Sequence, residues 1–112
     1  MSLGAKQELF ALYLPRLIDK AHELGFKVRL KELYRPKEMA AIYAERGTGI
    51  LNSLHCQGLA IDLVLFKDGH PLWASEQYRE LGEFWETLDI LCAWGGSFGD
   101  GGHFSLRHGG RA

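Results

Sequence analysis

An aspartate stands where the chain is most apolar. Asp62 lies inside Leu59-Ala-Ile-Asp-Leu-Val-Leu-Phe66, a run that reads as a central β-strand. Side chains alternate along a strand, which puts Leu59, Ile61, Leu63 and Leu65 on one face and Ala60, Asp62 and Val64 on the other. An ionised carboxylate buried without a partner is costly. The partner here could be an arginine such as Arg29 or Arg35, a set of N–H donors, or a cation. Ala60, beside Asp62, leaves room for a metal ion. His55, seven residues earlier, and His103, at the far side of a glycine-rich stretch, are placed to supply further ligands. Two imidazoles and a carboxylate, with a fourth position open, form a recurrent ligand set for catalytic zinc. Such an ion polarises a carbonyl and acidifies water.

Asp100 precedes His103 by three residues, and Gly101-Gly102 between them let the chain bend its carboxylate toward the same place. A carboxylate near the ion but not bound to it is what a general acid/base would be. Arg35 ends another extended segment, and its planar guanidinium suits a substrate carboxylate or a developing oxyanion. For His55 to approach Asp62, Cys56-Gln57-Gly58 must fold back, which Gly58 permits.

These side chains need elements to position them. Residues 5–24 form a helix by composition, with Leu9, Leu12, Leu17, Ala21 and Leu24 at helical spacing, a kink or restart at Pro15, and a stop at Gly25. Met1-Ser-Leu-Gly4 reads as a start or cloning remnant without fold information. Phe26–Leu33 alternates as a half-exposed strand. Pro36 opens a helix that carries Met39, Ile42 and Tyr43 inward and ends at Gly47, and 47–57 is a loop. Lys67-Asp68-Gly69 is a tight turn. Residues 75–91 form another helix, with Tyr78, Leu81, Trp85 and Leu88 inward. A glycine-rich loop and a final strand, His103–Arg107, complete the chain. The predicted fold is α+β: one domain over residues 1–112, a small, mainly antiparallel sheet packed by about three helices.

Composition narrows the function. The 112 residues are 46% apolar and 24% charged, with a net charge of −1, so no broad positive field invites nucleic acid or anionic membrane. No apolar run approaches the length of a membrane span, and no secretory signal is visible. Two cysteines, Cys56 and Cys92, make no disulfide framework and read as reduced thiols. Seven of the 14 glycines fall within 95–110. Cys92 and Trp94 read as core, His22 and His70 as surface, and the tail from Arg107 as frayed.

Ser53-Leu-His55-Cys-Gln-Gly58-Leu-Ala60-Ile-Asp62 resembles the Ser-x-His-x-x-Gly-x-Ala-x-Asp signature of the D-alanyl-D-alanine carboxypeptidase and L-alanyl-D-glutamate endopeptidase family of zinc peptidases. Asp100-Gly-Gly-His103-Phe104 resembles its second motif, and Tyr34-Arg35-Pro36 the segment bearing its arginine. The resemblance implies one zinc ion held by His55, Asp62 and His103, and Asp100 as catalytic acid/base. It further implies that Arg35 grips substrate or oxyanion, and that Ser53 contacts substrate or supports the site. The substrate would be a peptidoglycan stem peptide, cut at L-alanyl-D-glutamate as in the phage endolysin branch, whose catalytic position also carries aspartate. The alternatives are a D-alanyl-D-alanine carboxypeptidase or dipeptidase, and a zinc-bearing cell-wall-binding module without catalysis. The expected form is a monomer made in the cytoplasm that acts on the wall, with no membrane insertion and no nucleic-acid partner.

Overall fold

The structure, a computed structural model, describes residues 1–32 and 53–112, together with Glu38, Met39, Ile42 and Glu45. Arg35 and most of the helix expected after Pro36 lie outside the described residues. The four described positions of that segment are helical. All four are exposed, Met39 and Ile42 included, so these two do not face inward as the apolar spacing predicts.

Helix α1 spans Leu3–Glu23, and Ser2 caps it by accepting a hydrogen bond from the Ala5 amide. Residues 1–4 therefore do carry fold information. Pro15 sits inside this one helix. The buried stripe is Phe10, Tyr13, Leu17 and Ala21, whereas Leu12 is 55% exposed. The aromatics decide the face, and Leu12 falls on the opposite side. At the C-terminus Gly25 adopts φ +91°; its amide bonds to His22 O and the Phe26 amide to Ala21 O. This pair of bonds satisfies the last carbonyls and turns the chain into the sheet.

Strands β1 (Lys27–Glu32), β2 (Ala60–Lys67), β3 (His70–Pro71), β4 (Cys92–Trp94) and β5 (His103–Leu106) form one antiparallel sheet. Its order is β1-β2-β5-β4, with β3 pairing β2 beyond the Asp68-Gly69 turn. A 3₁₀ turn at Ser75–Tyr78 leads into helix α2, Arg79–Leu88, where a single uninterrupted helix was expected over 75–91. Asp89 ends α2 by accepting from the Leu91 amide, and β4 begins almost at once. The sequence reading missed β4, whose three residues are too few to show a period.

The two helices and one sheet face enclose the core. Trp85 is its centre, packed edge-on against Phe10, Tyr13 and Phe104, and its indole N–H donates to Ser105 O. Ile61, Leu63 and Leu65 enter this core from β2, while Asp62 and Val64 face the other way, half-buried. The alternation read from the sequence is the one observed. Cys92 lies in the core, where burial pushes its thiol up to about 12, so it is an inert packing group. The tail is not frayed: His108 bridges Arg111, and Lys6 of α1 reaches His108 Nδ1 at 3.0 Å and Arg107 O.

Candidate metal centre and active-site cleft

Three groups converge on the outer face of β2. His103 is the cross-strand neighbour of Asp62, so the register alone puts both side chains on one face. His55 comes from a buried 3₁₀ turn, Leu54–Gln57. Ser53 Oγ caps this turn by accepting from the His55 amide at 3.2 Å. Gly58, at φ +68°, reverses the chain into β2, which is the fold-back that His55 requires. Ser53 itself is 5% exposed, and its contact is with the histidine turn.

His55 Nε2 lies 3.3 Å from Asp62 Oδ2, and His103 Nδ1 lies 3.1 Å from Asp62 Oδ1. One ligand atom from each residue falls within 4.8 Å of the others. Donor atoms bonded at about 2.0–2.1 Å to a single tetrahedral ion stand about 3.3–3.4 Å apart, close to these separations. The donor set thus suits a zinc-sized cation in chemistry, and its ligand atoms lie within 4.8 Å of one another, with the two imidazoles meeting different oxygens of Asp62. His103 Nε2 is buried with no hydrogen-bond partner among the described residues. A buried polar atom left without a partner costs about 1–3 kcal/mol, so the ring is held there at some cost to stability.

Burial opposes the charge on Asp62, but hydrogen bonds from His103 and His55 outweigh it and hold the carboxyl well below the usual carboxylate range. Asp62 is therefore held as an anion. Of the two arginines considered as its partner, Arg29 instead stacks on the Phe66 ring, 4.1 Å from its centroid, and Arg35 lies outside the described residues.

Asp62 and Asp100 line one cleft of about 140 Å³ with Lys31, Leu63, Val64, Leu72, Trp73, Ser75, Tyr78 and Gly99–Gly102. Asp100 is exposed at its rim, yet the surrounding protein still excludes enough water to raise its pKa, and the negative Asp62 raises it further. Its backbone is pinned rather than loose. Asp100 N donates to Gly95 O, His103 N to Asp100 O, Gly101 N to Ser75 Oγ, and Leu63 N to Gly102 O. The glycines here serve close approach: a Cβ on Gly101 would stand 2.6 Å from Ser75 Cα, and one on Gly102 2.6 Å from Leu63 O.

Sequence reasoning brought together His55, Asp62, His103 and Asp100; Arg35 lies outside the described residues. It missed Lys31, Trp73, Tyr78 and Phe98. Tyr78 braces the cleft wall, donating to Leu72 O at 2.7 Å and accepting from the Leu65 amide at 3.1 Å. Phe98, 58% exposed, leans on the His103 ring, and Trp73 is 74% exposed beside the cleft. Only the large aromatic side chains, placed in polar loops, could have flagged Trp73 and Phe98.

The family model for D-alanyl-D-alanine carboxypeptidase matches residues 46–106, a span that includes His55, Asp62, Asp100 and His103. The chain belongs to this family, and is thus a cell-wall peptidase acting on peptidoglycan. The peptidases of the family are zinc enzymes, and the His55–Asp62–His103 cluster could bind the ion. Among solved structures, the chain is similar to the Serratia marcescens L-Ala D-Glu endopeptidase ChiX. That match has a TM-score of 0.68 at 25% identity, over 84% of this chain and 77% of that one. No curated protein matches the chain. No described helix is long and apolar enough to cross a membrane.

Proposed function

We propose that this chain is a zinc-dependent endopeptidase that hydrolyses the L-alanyl-D-glutamate bond of peptidoglycan stem peptides, as a lytic, endolysin-like enzyme. The observation that carries the reading is the convergence of His55 Nε2, Asp62 and His103 Nδ1 beside a cleft that Asp100 also lines. In this reading His55, Asp62 and His103 hold one zinc ion, which supplies Lewis acidity toward a carbonyl and toward water. Asp100 accepts a proton from the attacking water and passes it to the nitrogen of the leaving amine. Its raised pKa suits both halves of that task better than an ordinary surface aspartate would. Ser53 holds the His55 turn. Arg35 takes the oxyanion or a substrate carboxylate. Val64, Leu72 and Trp73 present apolar surface to the peptide.

The likeness to an L-Ala D-Glu endopeptidase over most of both chains supports this bond. The family model carries the name of the second candidate, cleavage of D-alanyl-D-alanine. Digestion of purified peptidoglycan with the zinc-supplied protein, read by mass spectrometry, decides between them. New glutamate amines with L-alanine left on the glycan are expected. Released D-alanine would move the assignment to the carboxypeptidase, and no new termini at all would leave a wall-binding module.

A further inference from the structure

Strand β1 is the edge of the sheet, and its pairing with β2 is regular from Lys27↔Phe66 to Leu30↔Leu63. Continued by one residue, that register would set Lys31 opposite Asp62. Instead the register shifts between Leu30 and Glu32, and Glu32 takes the place opposite Asp62. Lys31 is the residue that this register shift leaves out of the ladder, as in a β-bulge, a device that re-aims a side chain and is common beside active sites. A lysine directly across from Asp62 would bring its ammonium to the carboxylate the two imidazoles share. The bulge removes Lys31 from that pairing and leaves it lining the cleft with Asp100 and Trp73. Among the described residues the Lys31 side chain makes no hydrogen bond and no ion pair, although Asp62 and Asp100 line the same cleft and its positive charge acts on Asp100 across it.

We infer that Lys31 is a specificity-determining residue that binds a carboxylate on the substrate residue following the scissile bond. Both substrate readings carry such a group. In a stem peptide the D-glutamate continues through its γ-carboxyl and leaves its α-carboxylate free, and a terminal D-alanine has its own carboxylate. An ammonium is a compact point charge on a flexible stem, and it pairs with a carboxylate without fixing its plane. The inference rests on the peptidase reading of the cleft but not on which bond is cut. The competing role for Lys31 is to guard an exposed sheet edge against pairing with another chain, which predicts no substrate preference.

The test uses four peptides on the zinc-supplied protein: L-Ala-γ-D-Glu-L-Lys and its α-amide, and a D-Ala-D-Ala-terminated pentapeptide and its C-terminal amide. Wild type should prefer the acid of whichever pair it cuts by about tenfold in kcat/KM, expressed in KM, the scale of one hydrogen bond to a charged group. Lys31→Met should slow cleavage of the acid alone and abolish the preference, and Lys31→Arg should restore it. A preference unchanged in Lys31→Met, or equal slowing of acid and amide, overturns the inference. Cleavage of none of the four peptides by wild type would overturn the peptidase reading instead. Binding of the acid and amide tripeptides, followed by NMR shifts, then decides Lys31 separately, and equal affinities count against it.

Discussion

The two faces of β2 are built on opposite rules. On the inner face Ile61, Leu63 and Leu65 are almost completely buried and meet Trp85, Phe104 and the helices. Every apolar group there has a neighbour, and the face contributes stability. On the outer face Asp62 faces His55 and His103, and the side chains of Asp100 and Lys31 line the adjoining cleft without hydrogen bonds among the described residues. That face gathers polar groups in place of a core. A larger concavity of about 520 Å³, lined by Lys27, Arg29, Phe66 and Asp68, lies elsewhere on the sheet and has no such cluster among the described residues. Convergent polar groups mark the site, and volume does not.

Changes on the two faces should therefore separate function from stability. The largest effect expected is on turnover. Asp100→Ala should lower kcat by about 10²–10⁴-fold, the usual contribution of a general acid/base, and keep its metal, as measured by peptide cleavage alongside metal analysis. Near wild-type cleavage would remove Asp100 from the mechanism. On the inner face, Trp85→Ala should cost about 3–5 kcal/mol in denaturant unfolding, because it empties the centre of the core. Any molecules that still fold should bind metal normally.

A smaller change reaches the outer face from beneath. Ser53→Ala removes the cap of the His55 turn and should cost about 1 kcal/mol of stability. Metal affinity should fall with it, as competition against a chelator would show. Unchanged affinity would mean that His55 is positioned without Ser53.

The smallest effect follows from charge. Folding raises the pKa of Asp100, so its ionised form is disfavoured in the native state. In metal-free protein Asp100→Asn should therefore raise Tm at neutral pH. The gain should disappear below the ordinary aspartate value, where the carboxyl is protonated in both states. A lower Tm at pH 7 would mean that the native protein favours the charge.

Much of the site was legible in the sequence for local reasons. Asp62 stands out because one anion interrupts an almost continuously apolar run, and Gly58 because a left-handed residue brings His55 back. Other features were not local. The buried stripe of α1 depends on which side chains meet Trp85, and spacing alone chose Leu12 over Phe10 and Tyr13. Strand β4 exists because β5 pairs with it, at Cys92↔Leu106, Ala93↔Ser105 and Trp94↔Phe104. The bulge at Lys31 shifts the register, and no pattern within six residues of β1 announces it.

The central claim is that the charge of Asp62 on an apolar strand is shared with one cation held by two imidazoles. Its most direct test is an anomalous-scattering crystal structure of the zinc-loaded protein. The expected result is a single zinc within about 2.0–2.2 Å of His55 Nε2, an Asp62 oxygen and His103 Nδ1. Zinc bound by other side chains, Cys56 or His108 for instance, with these three left paired only to one another, would contradict it.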